Sequence, residues 1–229
     1  MDNFLLKSLP EDEGVRLRPH FERVCLKHGD HAIIPDEPIR HFYFPVGCLL
    51  SLVTQMADGS AAESGCIGRE GMSGIPVVLD AVSTTMPTFC QVPGEAIKVR
   101  SEVVKEVYEQ NRDVRRLLNR YIHTVVVVGS HATACNRLHT LEQRFCKWLL
   151  MSSDGVGSEE VALTQEFLAV MLGVRRAGVT EAAGKVQGAG LISYRRGQIQ
   201  IIDRAGLRAM ACECYRRTKE EYERLFNGQ

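Results

Sequence analysis

The pattern of hydrophobic positions changes near Ser101. Before it, short apolar or aromatic runs alternate with turn signals about every ten residues, and the clearest runs are 41–44 and 49–53. Aromatic and branched side chains suit a pleated, half-buried surface, so these runs predict β-strands. The turn signals lie at 28–30, 35–38, 45–47, 58–60, 65–74 and 93–94. This spacing predicts an all-β sandwich or an antiparallel, jelly-roll-like β-roll.

After Ser101 the apolar positions follow a helical period. A short helix is predicted at 102–110 and a longer one at 112–135, in which apolar or small residues recur at alternating steps of four and three. We call these positions the apolar seam: Val114, Leu118, Tyr121, Val125, Val128, Ala132 and Cys135. Heptad spacing is typical of a helix that pairs with another helix. We expect all of the seam except Cys135 to form a dimer interface; the alternative is a helix packed only against its own chain.

Residues 165–184 have the pattern of a helix-turn-helix. Ala169 has a small side chain at the position where the two helices must cross. Gly173 lies in the turn, where glycine can adopt a positive φ without a steric penalty. Thr164 is placed to cap the first helix. A helix at 138–151 and a loop at 152–158 are expected before this segment, and a hairpin at 191–202 is expected after it. Helix, turn, helix and hairpin together predict a winged helix.

Charge is distributed unevenly although the net charge is zero. Residues 1–100 contain 9 Lys/Arg and 13 Asp/Glu, whereas residues 175–217 contain nine Lys/Arg and three Asp/Glu. A basic excess within a winged helix favours binding to a polyanion, and the second helix of such a unit fits the DNA major groove. We assign base contacts to Arg175, Arg176 and Glu181, and either a base or a phosphate contact to Thr180. We assign phosphate contacts to Thr164, Gln165, Lys185, Arg195 and Arg196.

The order of these segments resembles the Crp/Fnr family of bacterial transcription regulators over nearly the whole chain. The motifs that carry the resemblance are RFCKWLL at 144–150, LTQEFLA at 163–169, LGVRR at 172–176 and GLI at 190–192. The resemblance implies an α+β chain with a β-roll sensor domain (1–110), a dimerisation helix (111–136) and a winged-helix DNA-binding domain (137–229). It also implies a homodimer on a palindromic operator in double-stranded DNA. RNA polymerase is a further candidate partner.

The predicted sensor departs from the members of this family that bind cyclic AMP. Those members use an arginine for the cyclic phosphate, whereas no arginine lies between Arg69 and Arg100 here. Without a cationic partner a buried phosphate loses its strongest type of contact, so we do not expect the usual cyclic AMP site. Backbone N–H groups of the glycine-rich loop offer an alternative anion site. Its candidate residues are Gly68, Arg69, Glu70, Gly71 and Ser73, and the effector stays unidentified.

The cysteines do not indicate a metal or cofactor. Eight are scattered without a CxxC pair, and only Cys25 lies in the first forty residues, which disfavours an N-terminal iron–sulfur cluster. His131, Cys135 and His139 lie at i, i+4 and i+8 and can share a helix face, but we expect ordinary interface or hinge residues there. We therefore expect reduced thiols, no bound metal and no cofactor.

Other functional classes fit the sequence less well. A β-barrel enzyme with a helical tail requires clustered ligands, and His20, His28, His31 and His41 lack the expected spacing. Residues 1–10 lack the features of a signal peptide, and the apolar run 125–128 is far too short to span a membrane. We expect a cytoplasmic regulator that is not an enzyme. The alternative is a ligand-binding module that acts through protein contacts without operator recognition.

Overall fold

The N-terminal half is built from two antiparallel sheets. The structure is a computed structural model that describes residues 2–58 and 61–227, so the predicted turn at 58–60 lies mostly outside the described residues. The strands are β1 Glu22–Leu26, β2 His31–Ile33, β3 His41–Pro45, β4 Leu49–Gln55, β5 Ala61–Ile67, β6 Thr88–Val92 and β7 Gly94–Arg100. One sheet has the order β1-β7-β3 and the other β2-β6-β4-β5. Apolar side chains of both sheets, such as Leu26 and Leu50, share one core, as a β-roll requires.

Helices cover the β-roll and form most of the C-terminal half. They are α1 Phe4–Lys7, α2 Glu11–Leu17, α3 Ile75–Val78, α4 Ser101–Gln110, α5 Arg112–Leu138, α6 Leu141–Val156, α7 Gln165–Leu172, α8 Arg176–Gly188, α9 Arg204–Met210 and α10 Cys214–Asn227. The short helices α1 and α2 were not predicted from the sequence. Among the described helices, none combines the length and the apolar composition needed to cross a membrane.

The long helix α5 packs its apolar seam against its own chain. Asn111 caps the helix by accepting hydrogen bonds from the N–H groups of Asp113 and Val114. Val114, Leu118 and Tyr121 are only 2%, 3% and 0% exposed, in a cluster with side chains of the β-roll and of α1 and α2. The prediction that these three residues form a dimer interface is wrong, because the sensor already covers that face of the helix.

The rest of the seam is less enclosed. Val125, Val128 and Ala132 are half-buried and line cavities between α5 and the β-roll. Their predicted contact with a second copy stays a prediction.

Helix α6 extends through part of the segment expected to be a loop. It continues to Val156 and ends at Gly157, which has a φ of 77°. Gly155 explains the difference, because this buried residue lies directly against the β-roll. A Cβ added to it would approach Leu49 Cδ1 to 2.7 Å, and one added to Gly68 would approach Gly155 Cα to 2.3 Å. Packing against the sensor therefore holds a segment helical that its serines and glycines alone indicate as a loop.

The C-terminal half contains the predicted winged helix. Helices α7 and α8 accompany a three-stranded sheet of order β8-β10-β9. Strand β8 Glu160–Ala162 precedes α7, and strands β9 Ile192–Arg195 and β10 Gln198–Ile201 follow α8. The β9–β10 hairpin turns at Arg196 and Gly197, which have φ values of 50° and 79°. Positive φ at both central residues gives a two-residue turn whose twist suits a hairpin. The predicted α+β fold is confirmed.

Candidate nucleic-acid interface

Local hydrogen bonds set the geometry of the helix-turn-helix. Thr164 Oγ1 accepts a hydrogen bond from the Phe167 N–H at 3.2 Å and caps α7, as predicted. Gly173 ends that helix with a φ of 62°. Helix α8 then begins directly after Arg175, and its buried Val179 and Ala182 hold it against the domain core. The first turns of α8 are thereby presented at the surface.

Side-chain contacts join the two helices and the wing into one surface. Thr180 Oγ1 on α8 donates to Gln165 Oε1 on α7 at 3.0 Å. The Leu163 N–H donates to the carbonyl oxygen of Gly197 in the wing turn at 2.6 Å. The wing turn, the start of α7 and the start of α8 are therefore neighbours. We call this the basic surface, and the predicted residues that it brings together are Thr164, Gln165, Arg175, Arg176, Thr180, Arg195 and Arg196.

Positive charge is exposed along this surface. Arg175, Arg176, Arg195 and Arg196 are all exposed. Arg176 Nη1 lies 2.8 Å from Glu166 Oε1, and both side chains are more than 60% exposed. An ion pair this exposed contributes at most about 1 kcal/mol, so the guanidinium can exchange the carboxylate for another acceptor at little cost.

Glu181 and Lys185 lie farther along α8 and interact with each other. Lys185 Nζ is 3.0 Å from Glu181 Oε1 and 2.6 Å from Glu142 Oε1 on α6. This lysine therefore helps to hold α8 against α6. The base contact assigned to Glu181 and the phosphate contact assigned to Lys185 remain predictions.

Comparison with known families identifies this surface as part of a recognised domain. The model of the Crp-like helix-turn-helix domain matches residues 143–210. The chain carries a Crp-like helix-turn-helix domain. No curated protein matches the chain by sequence. The predicted resemblance to Crp/Fnr regulators is thus confirmed in the region that contains α7, α8 and the wing.

Solved structures extend the likeness to the fold of the whole chain. A Crp/Fnr regulator from Eubacterium rectale is 16% identical, with a TM-score of 0.68 over 90% of this chain and 96% of that one. FixK2 from Bradyrhizobium japonicum is 14% identical, with a TM-score of 0.69 over 84% and 98%. The c-di-GMP-responsive regulator CLP from Xanthomonas campestris is 14% identical, with a TM-score of 0.63 over 82% and 96%. The Crp-like domain is therefore joined to an N-terminal β-roll in a chain whose fold is similar to that of Crp/Fnr regulators.

Backbone N–H groups of the glycine-rich loop are already hydrogen-bonded. Its N–H groups already donate within the chain: that of Gly68 to Glu70 Oε1 at 2.8 Å and that of Gly71 to the Gly68 carbonyl at 3.1 Å. The N–H groups of Arg69 and Ser73 likewise donate to backbone carbonyls of α6 and β3. These N–H groups are therefore not free to bind an anion. A role of Gly68, Arg69, Glu70, Gly71 and Ser73 in binding an effector stays a prediction, and Ser73 lines the cavity described next.

A cavity of about 310 Å³ lies between the β-roll and α5. Its walls come from β2, β4 and β5, from the segment 72–76, which includes Ser73, and from residues of α5 and α10, namely Tyr121, Val125, Val128, Gly129 and Tyr222. Among the described residues that line it, none has a charged side chain. The buried Tyr121 hydroxyl already has a hydrogen-bond partner, because this hydroxyl donates to the Met72 carbonyl at 2.9 Å. The cavity suits an uncharged molecule.

The Crp-like domain packs against the sensor through α6 and α7. Glu63 of β5 accepts hydrogen bonds from Trp148 Nε1 at 3.0 Å and from Ser51 Oγ at 2.8 Å. Burial raises the pKa of Glu63 to about 7, although both hydrogen bonds and nearby Lys147 act in the opposite direction. Phe167 of α7 packs edge-on against His28, with ring centroids 5.1 Å apart. Sequence reasoning missed Glu63, because a single glutamate in an alternating strand gives no sign of burial.

Proposed function

We propose that the chain is a sequence-specific DNA-binding transcription regulator that acts as a homodimer and catalyses no reaction. The observation that carries this proposal is the basic surface of the Crp-like domain. There the exposed start of α8 and the wing turn lie side by side, connected through Thr164, Gln165 and Thr180. A recognition helix in the major groove with a wing on the flanking backbone uses such an arrangement.

Different arginines of this surface have different roles in the proposal. Arg175 and Arg176 at the start of α8 read bases, and a good bidentate contact to guanine contributes about 1–3 kcal/mol of discrimination. Arg195 and Arg196 in the wing contact phosphates, which add affinity without sequence preference. Arg176 releases Glu166 on binding.

The proposed dimer forms through the side of α5 on which Val126 is 62% exposed. Val126 recurs with Asn119, Ile122, Gly129 and Thr133 at steps of three and four along α5. Asn119 and Thr133 are exposed, whereas Ile122 also packs against the β-roll cluster and Gly129 also borders the cavity of the β-roll. This spacing supports pairing with a second copy around Val126. A two-fold dimer would present its two recognition helices to half-sites about 34 Å apart.

The cavity of the β-roll supports an effector without formal charge. A cyclic nucleotide would bury a phosphate against a wall that lacks a cationic side chain, at a cost of several kcal/mol. The same holds for c-di-GMP, to which the CLP regulator responds. An uncharged, largely apolar ligand avoids this cost and would contact Val125 and Val128 of α5 directly.

Selection of bound fragments from random duplexes tests the proposed function, followed by fluorescence anisotropy at several salt concentrations. We expect a palindromic site and an affinity that falls steeply as salt rises. Arg176→Ala should lose about 10-fold or more in affinity and relax the preference at one base pair in each half-site. Arg196→Ala should weaken binding to all duplexes alike and reduce the salt slope by about one. Arg23→Ala, which removes an exposed arginine of β1, serves as the control.

Two outcomes would count against the proposal. Failure to enrich any duplex would favour a module that acts through protein contacts. A reversal of the two arginine phenotypes would show that the roles of helix and wing are misassigned.

The oligomer is tested separately by light scattering after size exclusion. Val126→Glu should yield monomers with operator affinity reduced at least about 10-fold, because the charge would be buried between two helices. Val82→Glu, at a residue 71% exposed on the sensor, should remain dimeric. A dimeric Val126→Glu variant would exclude this face of α5 as the interface.

A further inference from the structure

Four metal-binding side chains meet where α5 ends. Cys135 lies in the last turn of α5 and His139 just beyond it. Cys212 lies between α9 and α10, and Cys214 is the first residue of α10. One donor atom from each of the four side chains lies within 4.8 Å of the other three. The cluster contains two residues that the sequence placed on one helix face and two that are about 75 positions away. From the sequence, Cys135 and His139 were expected to be ordinary interface or hinge residues, and their proximity to Cys212 and Cys214 was not predicted.

We propose that Cys135, His139, Cys212 and Cys214 bind one Zn²⁺ ion in a tetrahedral site with three thiolates and the imidazole Nδ1. All four positions would be filled by protein, which is typical of a structural zinc site rather than a catalytic one. The ion would connect the end of α5 to the start of α10.

The separations between donor atoms match this geometry. Zn–S bonds of about 2.3 Å and Zn–N bonds of about 2.0 Å at tetrahedral angles place two sulfurs about 3.8 Å apart and sulfur and nitrogen about 3.5 Å apart. Cys135 Sγ lies 3.5 Å from Cys212 Sγ, and Cys214 Sγ lies 3.7 Å from His139 Nδ1. A single ion fits between these atoms. An iron–sulfur cluster needs a wider opening, because several irons and sulfides separate its thiolates.

The surroundings of His139 orient its ring for binding. His139 Nε2 lies 3.1 Å from Glu213 Oε2, the residue between the two C-terminal cysteines. With Nε2–H donating to this carboxylate, the neutral imidazole directs its Nδ1 lone pair toward the sulfurs. A carboxylate behind a ligating histidine is a recurrent feature of zinc sites, since it fixes the tautomer and raises the basicity of the ring.

The charge around the site also suits a metal held by three thiolates. Three thiolates around a divalent ion leave one net negative charge, and Lys147 lines the same cavity as Cys135. Soft thiolate ligands select Zn²⁺ over Mg²⁺ or Ca²⁺, and binding would release the remaining thiol protons.

The first experiment uses the full chain purified with a thiol reductant present. Elemental analysis by mass spectrometry should find about one zinc per chain. After removal by a chelator, Co²⁺ should restore one equivalent with the visible bands of tetrahedral thiolate coordination, and Zn²⁺ should displace it. Rebinding should raise the melting temperature. A chain that is isolated without zinc and shows no such bands with Co²⁺ after reduction would overturn the proposal.

Variants then locate the ion. Cys212→Ser and Cys135→Ser should each lose the zinc, whereas Cys25→Ser, at an exposed cysteine of β1, should retain it. Glu213→Gln keeps all four ligands and should weaken zinc binding by about 10-fold, which separates ligation from a general loss of folding. Zinc retained by both ligand variants would place the ion elsewhere. A Cys135–Cys212 disulfide whose reduction yields no Co²⁺ binding would likewise refute the site.

Discussion

The raised pKa of the half-buried Glu63 predicts that the packing between the β-roll and the Crp-like domain depends on pH. Its two oxygens accept hydrogen bonds from Trp148 of α6 and Ser51 of β4, so it lies directly between the two parts of the chain. Glu63→Gln replaces it with a neutral amide of nearly the same shape. The amide oxygen can still accept from Trp148, and Ser51 can accept from the amide nitrogen.

The sign and size of the effect follow from the pKa. Burial raises the pKa of Glu63 to about 7 from an ordinary value of 4.5, so the folded chain holds this proton more tightly than the unfolded chain. The stabilisation is complete below about pH 4.5 and is lost as the pH rises through 7. At about 1.4 kcal/mol per pKa unit, the wild-type chain should lose about 2 to 3 kcal/mol relative to Glu63→Gln between pH 5 and pH 8.

Urea unfolding at several pH values between 5 and 8 measures this difference. Trp148 is the only tryptophan and is the hydrogen-bond partner of Glu63, so its fluorescence reports on the contact itself. Glu95→Gln, at a β7 residue paired with Arg23 at the surface, controls for the removal of a carboxylate. A stability difference between wild type and Glu63→Gln that does not change with pH would refute the reasoning, as would one that changes in the opposite direction.

Three further predictions concern the sensor. Tyr121→Phe should lower the free energy of unfolding by about 1–3 kcal/mol in urea titrations, because the N–H and carbonyl of Met72 would lose their hydroxyl partner inside the core. Gly68→Ala should lower the free energy of unfolding by about 1–3 kcal/mol, since the added Cβ would meet the backbone of Gly155. As a control, Gly184→Ala on the open side of α8 should raise the free energy of unfolding by about 0.5–1 kcal/mol. Millimolar cyclic AMP should change neither the melting temperature nor operator affinity; a clear increase in either would disprove the assignment of an uncharged effector.

Local chemistry explains why the elements could be predicted from the sequence. Turn residues at regular spacing indicated the β-roll, and Thr164 and Gly173 lie at the two ends of α7 as their side-chain chemistry requires. The basic surface was also largely predictable, because its residues are close in sequence. Features that depend on one helix or one turn can be inferred from neighbouring residues alone.

Features that depend on distant segments could not be predicted in this way. A heptad seam fits a second copy of α5 and the chain's own β-roll equally well, and only the fold shows that the β-roll covers Val114 and Leu118. The loop around Gly68 has the composition of an anion site, yet its N–H groups donate to the Glu70 side chain and to backbone carbonyls of the same chain. Cys212 and Cys214 form a Cys-x-Cys pair that is visible in the sequence. Their proximity to Cys135, however, depends on how α10 packs back along α5.

These observations assign different tasks to different faces of α5. The seam is packed into the sensor and borders its cavity at Val125 and Val128, while the face at Val126 is open. The end of the helix carries Cys135 and meets the start of α10. A ligand in the cavity would contact the same rigid helix whose far end is connected to the Crp-like domain. Because residues on a continuous helix move together, a small displacement of α5 near Val125 would also displace Cys135, which lies about 15 Å farther along the helix axis. The proposed zinc site would then act as the joint that passes the movement of α5 to the recognition helix.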